Sequence, residues 1–245
     1  MSRDFEELDF QESPLGEISL RRRRILLLDG IEVFEVKLNE EFLMSSLFHV
    51  AEDALADLGL AAIDEKNLDV VVGGLGLGYT ALAALKSDKV KTLRVVDIMH
   101  AVIGWHEKGL IPLGPQLMAD KRCKFVQGDF FAMTRESGTG FAPEHPDMKF
   151  HAILLDIDHS PSHWLHERHA WFYEPEGLKQ LAARLHPGGV FALWSNDNPD
   201  PEFIQTLEEV FTDCQAHVVI FDNPLAGGES INTVYVAKTR KGATS

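Results

Sequence analysis

The sequence predicts an α/β fold: a mostly parallel sheet covered by helices on both faces, ending in an antiparallel hairpin and preceded by a small β-unit. Three observations carry this. From Leu68 onward, short β-branched or apolar runs alternate with helix-period segments, as expected of parallel strands buried on both faces. The last two apolar runs are joined by Asn223 to Ser230, a stretch with Gly and Pro but no helical pattern, which suits an antiparallel hairpin at the sheet edge. Ahead of Leu68, β-rich runs flank an Asp29-Gly30 pair.

Taken in order, residues 1–12 are acidic and read as a loosely docked tail. Gly16 to Leu28 and Ile31 to Leu38 read as strands about a tight Asp29-Gly30 turn, whose two central positions need positive φ. The run Arg21-Arg22-Arg23-Arg24 is expected to alternate along its strand, two side chains reaching solvent and two reaching acids such as Glu32 or Glu35. Leu47, Val50, Ala51, Ala54, Leu55 and Leu58 follow helical spacing, with Ser45 or Ser46 as cap and Gly59 as stop. Strands then follow at Leu68 to Val72, Thr92 to Val96, Lys124 to Gln127, Ala152 to Leu155 and Val190 to Trp194. Helices fall at Tyr79 to Lys86, Ala101 to Lys108, Glu176 to Leu185 and Pro201 to Phe211. His217 to Phe221 and Asn232 to Ala237 form the closing pair. The chain therefore divides into a tail and β-hairpin extension (1–45), a Rossmann-like domain (46–240) and a short tail (241–245).

Bulk properties narrow the function. A formal net charge of -15 argues against non-specific nucleic-acid binding, which depends on cationic surface, and is compatible with a cationic small substrate. Cys123 and Cys214 have no metal-type spacing, so two buried, reduced thiols in a cytoplasmic protein are expected. No apolar stretch approaches the roughly 20 residues that span a bilayer, and the start has no apolar leader, so no membrane association is expected.

The chemistry gathers at the strand ends. Gly73, Gly74, Gly76 and Gly78 follow an apolar strand and lead into a helix. Glycine permits the turn's unusual φ values and lets a ligand approach the backbone. Asp97 closes the next strand, about 20 residues on, where an acid accepts hydrogen bonds from ribose hydroxyls. It could also cap the following helix. Asp129, followed by Phe130, stands where an acid meets an adenine amino group and an aromatic or backbone packs on the ring, and Asp156 ends Ile153-Leu154-Leu155. The loop has neither pyrophosphate-binding spacing nor a basic residue, so a sulfonium ligand without phosphates fits better than a dinucleotide.

With Val95-Val96-Asp97-Ile98, Gly128-Asp129-Phe130, Leu154-Leu155-Asp156 and the Leu185-His186-Pro187-Gly188-Gly189-Val190 turn, the chain resembles the spermidine synthase-like branch of the class I S-adenosylmethionine-dependent methyltransferase superfamily. The resemblance runs from about Ile18 to Lys238 and includes the helix carrying His49 and Glu52. It implies that Asp97, with Ile98, binds ribose, that Asp129 and Phe130 lie near adenine, and that Asp156 holds and deprotonates an attacking amine. It also implies a homodimer. Polyamine synthases carry an Asp inside the glycine loop and an Asp-Pro after the catalytic Asp. This chain has neither: its loop is Gly74-Leu75-Gly76-Leu77-Gly78, and Asp156 is followed by Ile157-Asp158-His159-Ser160-Pro161. Both differences favour ordinary S-adenosylmethionine over its decarboxylated form.

The expectation is thus a methyltransferase acting on a small, amine-bearing molecule, with Asp156, Asp158 and His159 as the catalytic group. The alternatives are aminopropyl transfer, intramolecular cyclisation or lyase chemistry releasing methylthioadenosine, and a catalytically silent binding or dimerisation module. His151, His159, His163, His166 and His169 are open to three readings: an acceptor pocket with His159 or His163 as general base, a metal site, or a packed loop with histidines at its rim. No clean three-ligand spacing appears, so no metal is expected. Trp105, Phe130, Trp164 and Trp194 are candidates to fence a sulfonium, against the plainer reading of core packing.

Overall fold

The computed structural model describes residues 4–135 and 137–241. Most of the expected tail at 241–245, and the first three residues of the expected N-terminal tail, lie outside that range. The rest of the N-terminal segment is not a tail. Strands β1 (Phe5–Ser13), β2 (Gly16–Ile25), β3 (Ile31–Leu38) and β4 (Glu41–Ser45) form a four-stranded antiparallel meander. The acidity that reads as solvation is charge complementarity. Glu6 and Glu7 of β1 pair with Arg22 and Arg21 of β2. Arg22 also reaches Glu32 (3.9 Å), and Arg23 reaches Glu35 (2.7 Å). Strand β1 is further tied to the larger domain by Trp105 Nε1 donating to Asp9 Oδ2 (2.6 Å). The expected turn residues Asp29 (φ 54°) and Gly30 (φ 74°) are both left-handed, although a short 3-10 turn at Leu26–Leu28 precedes them.

After α1 (Val50–Ala61) the alternation proper begins. It runs β5 (Leu68–Gly73), α2 (Tyr79–Lys86), β6 (Val90–Asp97), α3 (His100–Glu107), α4 (Gly114–Ala119), β7 (Cys123–Gln127), α5 (Phe130–Thr134) and β8 (Phe150–Leu155). A 3-10 segment (Glu167–Tyr173) then precedes α6 (Pro175–Ala183), β9 (Leu185–Ser195), α7 (Pro201–Val210), β10 (Thr212–Asn223) and β11 (Gly228–Lys238). The seven strands lie in the order β10-β11-β9-β8-β5-β6-β7. Pairings among β5 to β9 are parallel, whereas β11 is antiparallel to both β9 and β10. This is the expected Rossmann-like α/β sheet, mostly parallel with an antiparallel C-terminal hairpin. The returning strand β11, rather than β10, lies beside β9.

Period-two alternation deals the strand residues to two cores. Val70, Val72, Val95 and Leu154 pack under α1, α2 and the β-meander, where Ile18, Leu20 and Val36 join them. Val71, Val96, Ile153 and Leu193 face an aromatic layer that includes Phe130, Phe141, Phe172 and Phe203. Burying each such side chain contributes about 1.5–3 kcal/mol.

Two expectations about α1 are corrected. Its N-cap is His49, with no side-chain capping bond; Ser46 Oγ instead accepts from Phe34 N (2.9 Å), joining the helix approach to β3. Gly59 does not stop the helix. A Cβ there would lie 2.6 Å from Leu154 Cδ2 and 3.2 Å from Ala192 Cβ, so glycine lets α1 lie close on the sheet. Cys123 and Cys214 are free and half-buried, and burial pushes their thiols up to about 12 and about 11. Among the described residues no helix is long and apolar enough to cross a membrane.

Candidate active site

A cavity of about 580 Å³ opens where the carboxyl ends of β5, β6 and β8 meet β4 and the β10–β11 hairpin. In open α/β sheets this edge is where ligands sit. The floor is the glycine loop. Gly74 (φ +95°), Gly76 (φ +46°) and Gly78 (φ +95°) all have left-handed backbone. A Cβ on Gly74 would stand 1.9 Å from the carbonyl oxygen of Asp156, which excludes any other residue without moving β8. Gly74 and Gly76 to Gly78 line the cavity. Gly73 does not; it makes room instead for the Phe130 ring, 2.7 Å from where its Cβ would be. His106 is buried beside the loop with Nε2 2.9 Å from Gly76 O. Burial holds its pKa below the ordinary imidazole value, so the ring is neutral and Nε2 donates to that carbonyl.

Asp97 ends β6 and lines the cavity beside Ile98. Its Oδ2 accepts from Leu75 N (2.9 Å) and its Oδ1 from Met99 N (2.7 Å). It therefore ties the glycine loop to the start of α3, and burial raises its pKa despite these bonds. Each carboxylate oxygen retains acceptor capacity for a ligand hydroxyl. Asp129 lines the cavity while capping α5 through Ala132 N (3.1 Å). Phe130, at 2% exposure and stacked on Phe141 (4.8 Å), belongs to the aromatic core and meets the cavity only at its edge.

Asp156 follows β8 directly, and its Oδ2 accepts from Thr80 Oγ1 (2.8 Å). Burial pushes its carboxyl up to about 6, against the pull of that hydroxyl. Glu52, from the first turn of α1, lines the same cavity. Burial first, then the nearby negative charge of Asp156, pushes it up to about 8. Sequence reasoning missed Glu52 as a site residue, although its signal was present. Glu52, Leu55, Ala56 and Gly59 follow i, i+3, i+4, i+7, so a carboxylate stands in the buried stripe of the helix. Glu41 of β4 was also missed. It lies 3.0 Å from His159 Nε2 and brings the β-meander to the cavity wall.

The three expected catalytic residues are not brought together. Asp156 and His159 line the cavity, and Asp158 does not. Asp158 is 1% exposed and accepts from His169 Nδ1 (2.8 Å), Tyr173 OH (2.9 Å) and Leu165 N (2.8 Å). With its oxygens so engaged, it anchors the loop after β8 to the 3-10 segment. Asp158 lies past the end of β8, in the bend that follows it, where the chain turns its side chain towards the 3-10 segment and away from the cavity. Among the histidines, His163 and His169 also line the cavity, and no group of three or more His, Cys, Asp or Glu side chains among the described residues is placed to hold a metal. His151 lies elsewhere, its Nδ1 accepting from Asp69 N (3.0 Å). Of the aromatic candidates, Trp194 joins the cavity wall. Trp105 is wholly buried against β1, and Trp164 donates to Pro161 O (2.7 Å) outside the cavity.

Fold and site together define a protein with the spermidine synthase fold, and the chain resembles those enzymes in sequence as well. Its fold matches a spermidine synthase in complex with the transition-state analogue AdoDATO at a TM-score of 0.69, with 17% identity over 95% of this chain and 72% of that one. The spermidine synthase from Thermotoga maritima matches at a TM-score of 0.70, with the same identity and coverage. In sequence, the chain is 27% identical over 188 residues to the polyamine aminopropyltransferase of Sulfolobus acidocaldarius, covering 75% of this chain. It spans about half (53%) of that relative's length. No family model matches. These likenesses correct the expectation of a methyltransferase using ordinary S-adenosylmethionine, since the proteins it resembles are named for aminopropyl transfer and spermidine synthesis. The inference from an acid-free glycine loop failed because an acid need not come from that loop to reach the cavity: α1 supplies Glu52.

Proposed function

We propose that the chain transfers an aminopropyl group from decarboxylated S-adenosylmethionine to a small, amine-bearing acceptor. The observation that carries this is Asp156, a half-buried cavity carboxylate with no cationic side-chain partner among the described residues, beside the glycine loop. The charge of the cavity supports it. Among the described residues, Glu41, Glu52, Asp97, Asp129 and Asp156 line it against one guanidinium, Arg168, and no lysine. Such a wall suits a donor bearing both a sulfonium and an ammonium.

In this reading residues 46–240 are the catalytic unit, and residues 1–45 supply one wall. Gly74, Gly76 and Gly78 let the donor approach the backbone, with Gly73 positioning the loop. Asp97 and Ile98 take the ribose, and Asp129 takes the adenine edge with Phe130 behind it. Asp156 orients the acceptor amine and accepts its proton, a role suited to a carboxyl whose pKa is lifted towards neutrality. The amine lone pair forms a bond to the propyl carbon on sulfur. The carbon–sulfur bond breaks, its electron pair stays on sulfur, and methylthioadenosine leaves. His159 lies on the acceptor side, and Asp158 holds the loop that carries it.

The test is product analysis with the decarboxylated donor and a panel of di- and polyamines. Amine-dependent release of methylthioadenosine is expected, and Asp156→Asn should slow it about 10²- to 10⁴-fold, the usual contribution of a positioned base. Failure of every amine to provoke release, or release of S-adenosylhomocysteine from the undecarboxylated compound, would overturn the proposal.

A further inference from the structure

We infer that Glu52 is the donor-selecting residue of this cavity, holding the donor's ammonium jointly with one oxygen of Asp156, whose other oxygen serves the acceptor amine, and turning away a donor that keeps its carboxylate. The inference deepens the proposed function and rests on it.

Two carboxylates from separate elements, the first turn of α1 and the end of β8, face one cavity. Among the described residues, neither is ion-paired to a lysine, arginine or histidine. The other charged group close to Glu52 is Asp53, which is already engaged by His49 (3.0 Å) and Lys86 (3.8 Å). From α2, Thr80 donates to Asp156 and Tyr79 donates away, to Ser46 O (3.5 Å). Arg168, His159, His163 and His169 line the same cavity, but among the described residues none of them is ion-paired to either acid.

Two desolvated carboxylates in one site are stable only if they share a proton or take up a cation. An ammonium has three N–H donors and can reach both acids together, displacing the shared proton. A chain ending in an amine alone satisfies the site. A chain that also carries an α-carboxylate brings a third negative charge into it, and like-charge juxtaposition is strongly disfavoured. Glu52 thus supplies from a helix the acid that the glycine loop lacks.

The experiment compares methylthioadenosine, decarboxylated S-adenosylmethionine and S-adenosylmethionine by calorimetry on wild type and Glu52→Gln. Methylthioadenosine has no chain amine and serves as the internal control. Wild type should prefer the decarboxylated donor and release a proton on binding it, but not on binding methylthioadenosine. E52Q should bind the decarboxylated donor about 10- to 100-fold more weakly, the range for one charge-assisted hydrogen bond. It should bind methylthioadenosine within about twofold of wild type, release no proton, and lose its preference against S-adenosylmethionine. Unchanged binding of the decarboxylated donor, or an equal loss for methylthioadenosine, would overturn the role of Glu52. If E52Q does not fold, the wild-type proton release decides: none with the decarboxylated donor refutes the paired site. No binding of methylthioadenosine to wild type would instead refute the underlying function.

Discussion

Replacing Asp156 with asparagine should make the protein more stable at alkaline pH while disabling it. The wild-type carboxyl moves from 3.8 unfolded to about 6 folded, chiefly through burial. A shift of roughly 2 units at 1.36 kcal/mol each corresponds to about 3 kcal/mol. The sign follows from proton binding. A raised acid holds its proton more tightly in the native state, so its penalty is absent below about pH 4, grows between 4 and 6, and is complete above. Glu52, raised from 4.5 to about 8, acts in the same sense over a window reaching pH 8. Asparagine removes one charge, eases the repulsion on Glu52, and can still accept from Thr80 through Oδ1. Because the site opens to solvent, a gain of about 1–3 kcal/mol at pH 8, vanishing towards pH 4, is expected rather than the full sum. Urea unfolding followed by tryptophan fluorescence at pH 4, 6 and 8 would measure it, with unchanged slope as the check on comparable unfolded states. A mutant less stable than wild type at pH 8, or a gain independent of pH, would refute the reasoning. Asp156 would then be a carboxylate held by its partners.

The neighbouring acid should behave oppositely. Asp158→Ala orphans the Tyr173 hydroxyl, His169 Nδ1 and Leu165 N, at about 1–3 kcal/mol each, so a loss of 3 kcal/mol or more in urea is expected; a near-neutral result would return Asp158 to the candidate catalytic group. Gly74→Ala adds a Cβ at φ +95° and 1.9 Å from Asp156 O. The backbone strain alone is about 1–2 kcal/mol, and the displaced loop should abolish methylthioadenosine binding in calorimetry. Gly104→Ala, in α3 with open space around it, is the matched control and should leave binding intact.

The parallel sheet was legible because its central strands β5 and β8 are buried on both faces, and continuous β-branched runs such as Val70-Val71-Val72 have few other uses. The glycine loop and the acids at the strand ends were legible for a related reason: a βα turn this tight restricts both composition and position. Strand β1 was not legible, since its acids look solvated until the arginines of β2 are placed beside them. Asp158 was misjudged because its spacing of two from Asp156 suggested a shared face, whereas β8 has already ended and the bend after it turns Asp158 to Leu165 N, His169 and Tyr173. Glu52 could have been found by asking why a carboxylate interrupts an apolar helical stripe. The wall opposite the glycine loop was legible only in part: the histidine-rich segment offered His159, but not the residues it meets. The wall joins Glu41, His159 and Asn232, residues brought together by tertiary structure alone.

That wall has an evolutionary consequence. The end of the cavity that the proposed function gives to the adenosyl group is built on strand ends and on a glycine wedged against the backbone of Asp156, where almost no substitution is free. The opposite end is assembled from β4 and the β10–β11 hairpin, attachments outside the parallel strands. Lengthening or recolouring either would change which acceptor is admitted without disturbing the donor or the base. With the proposed function, a lineage built this way can exchange one amine for another by editing its margins, and diversity among relatives should concentrate in those two segments.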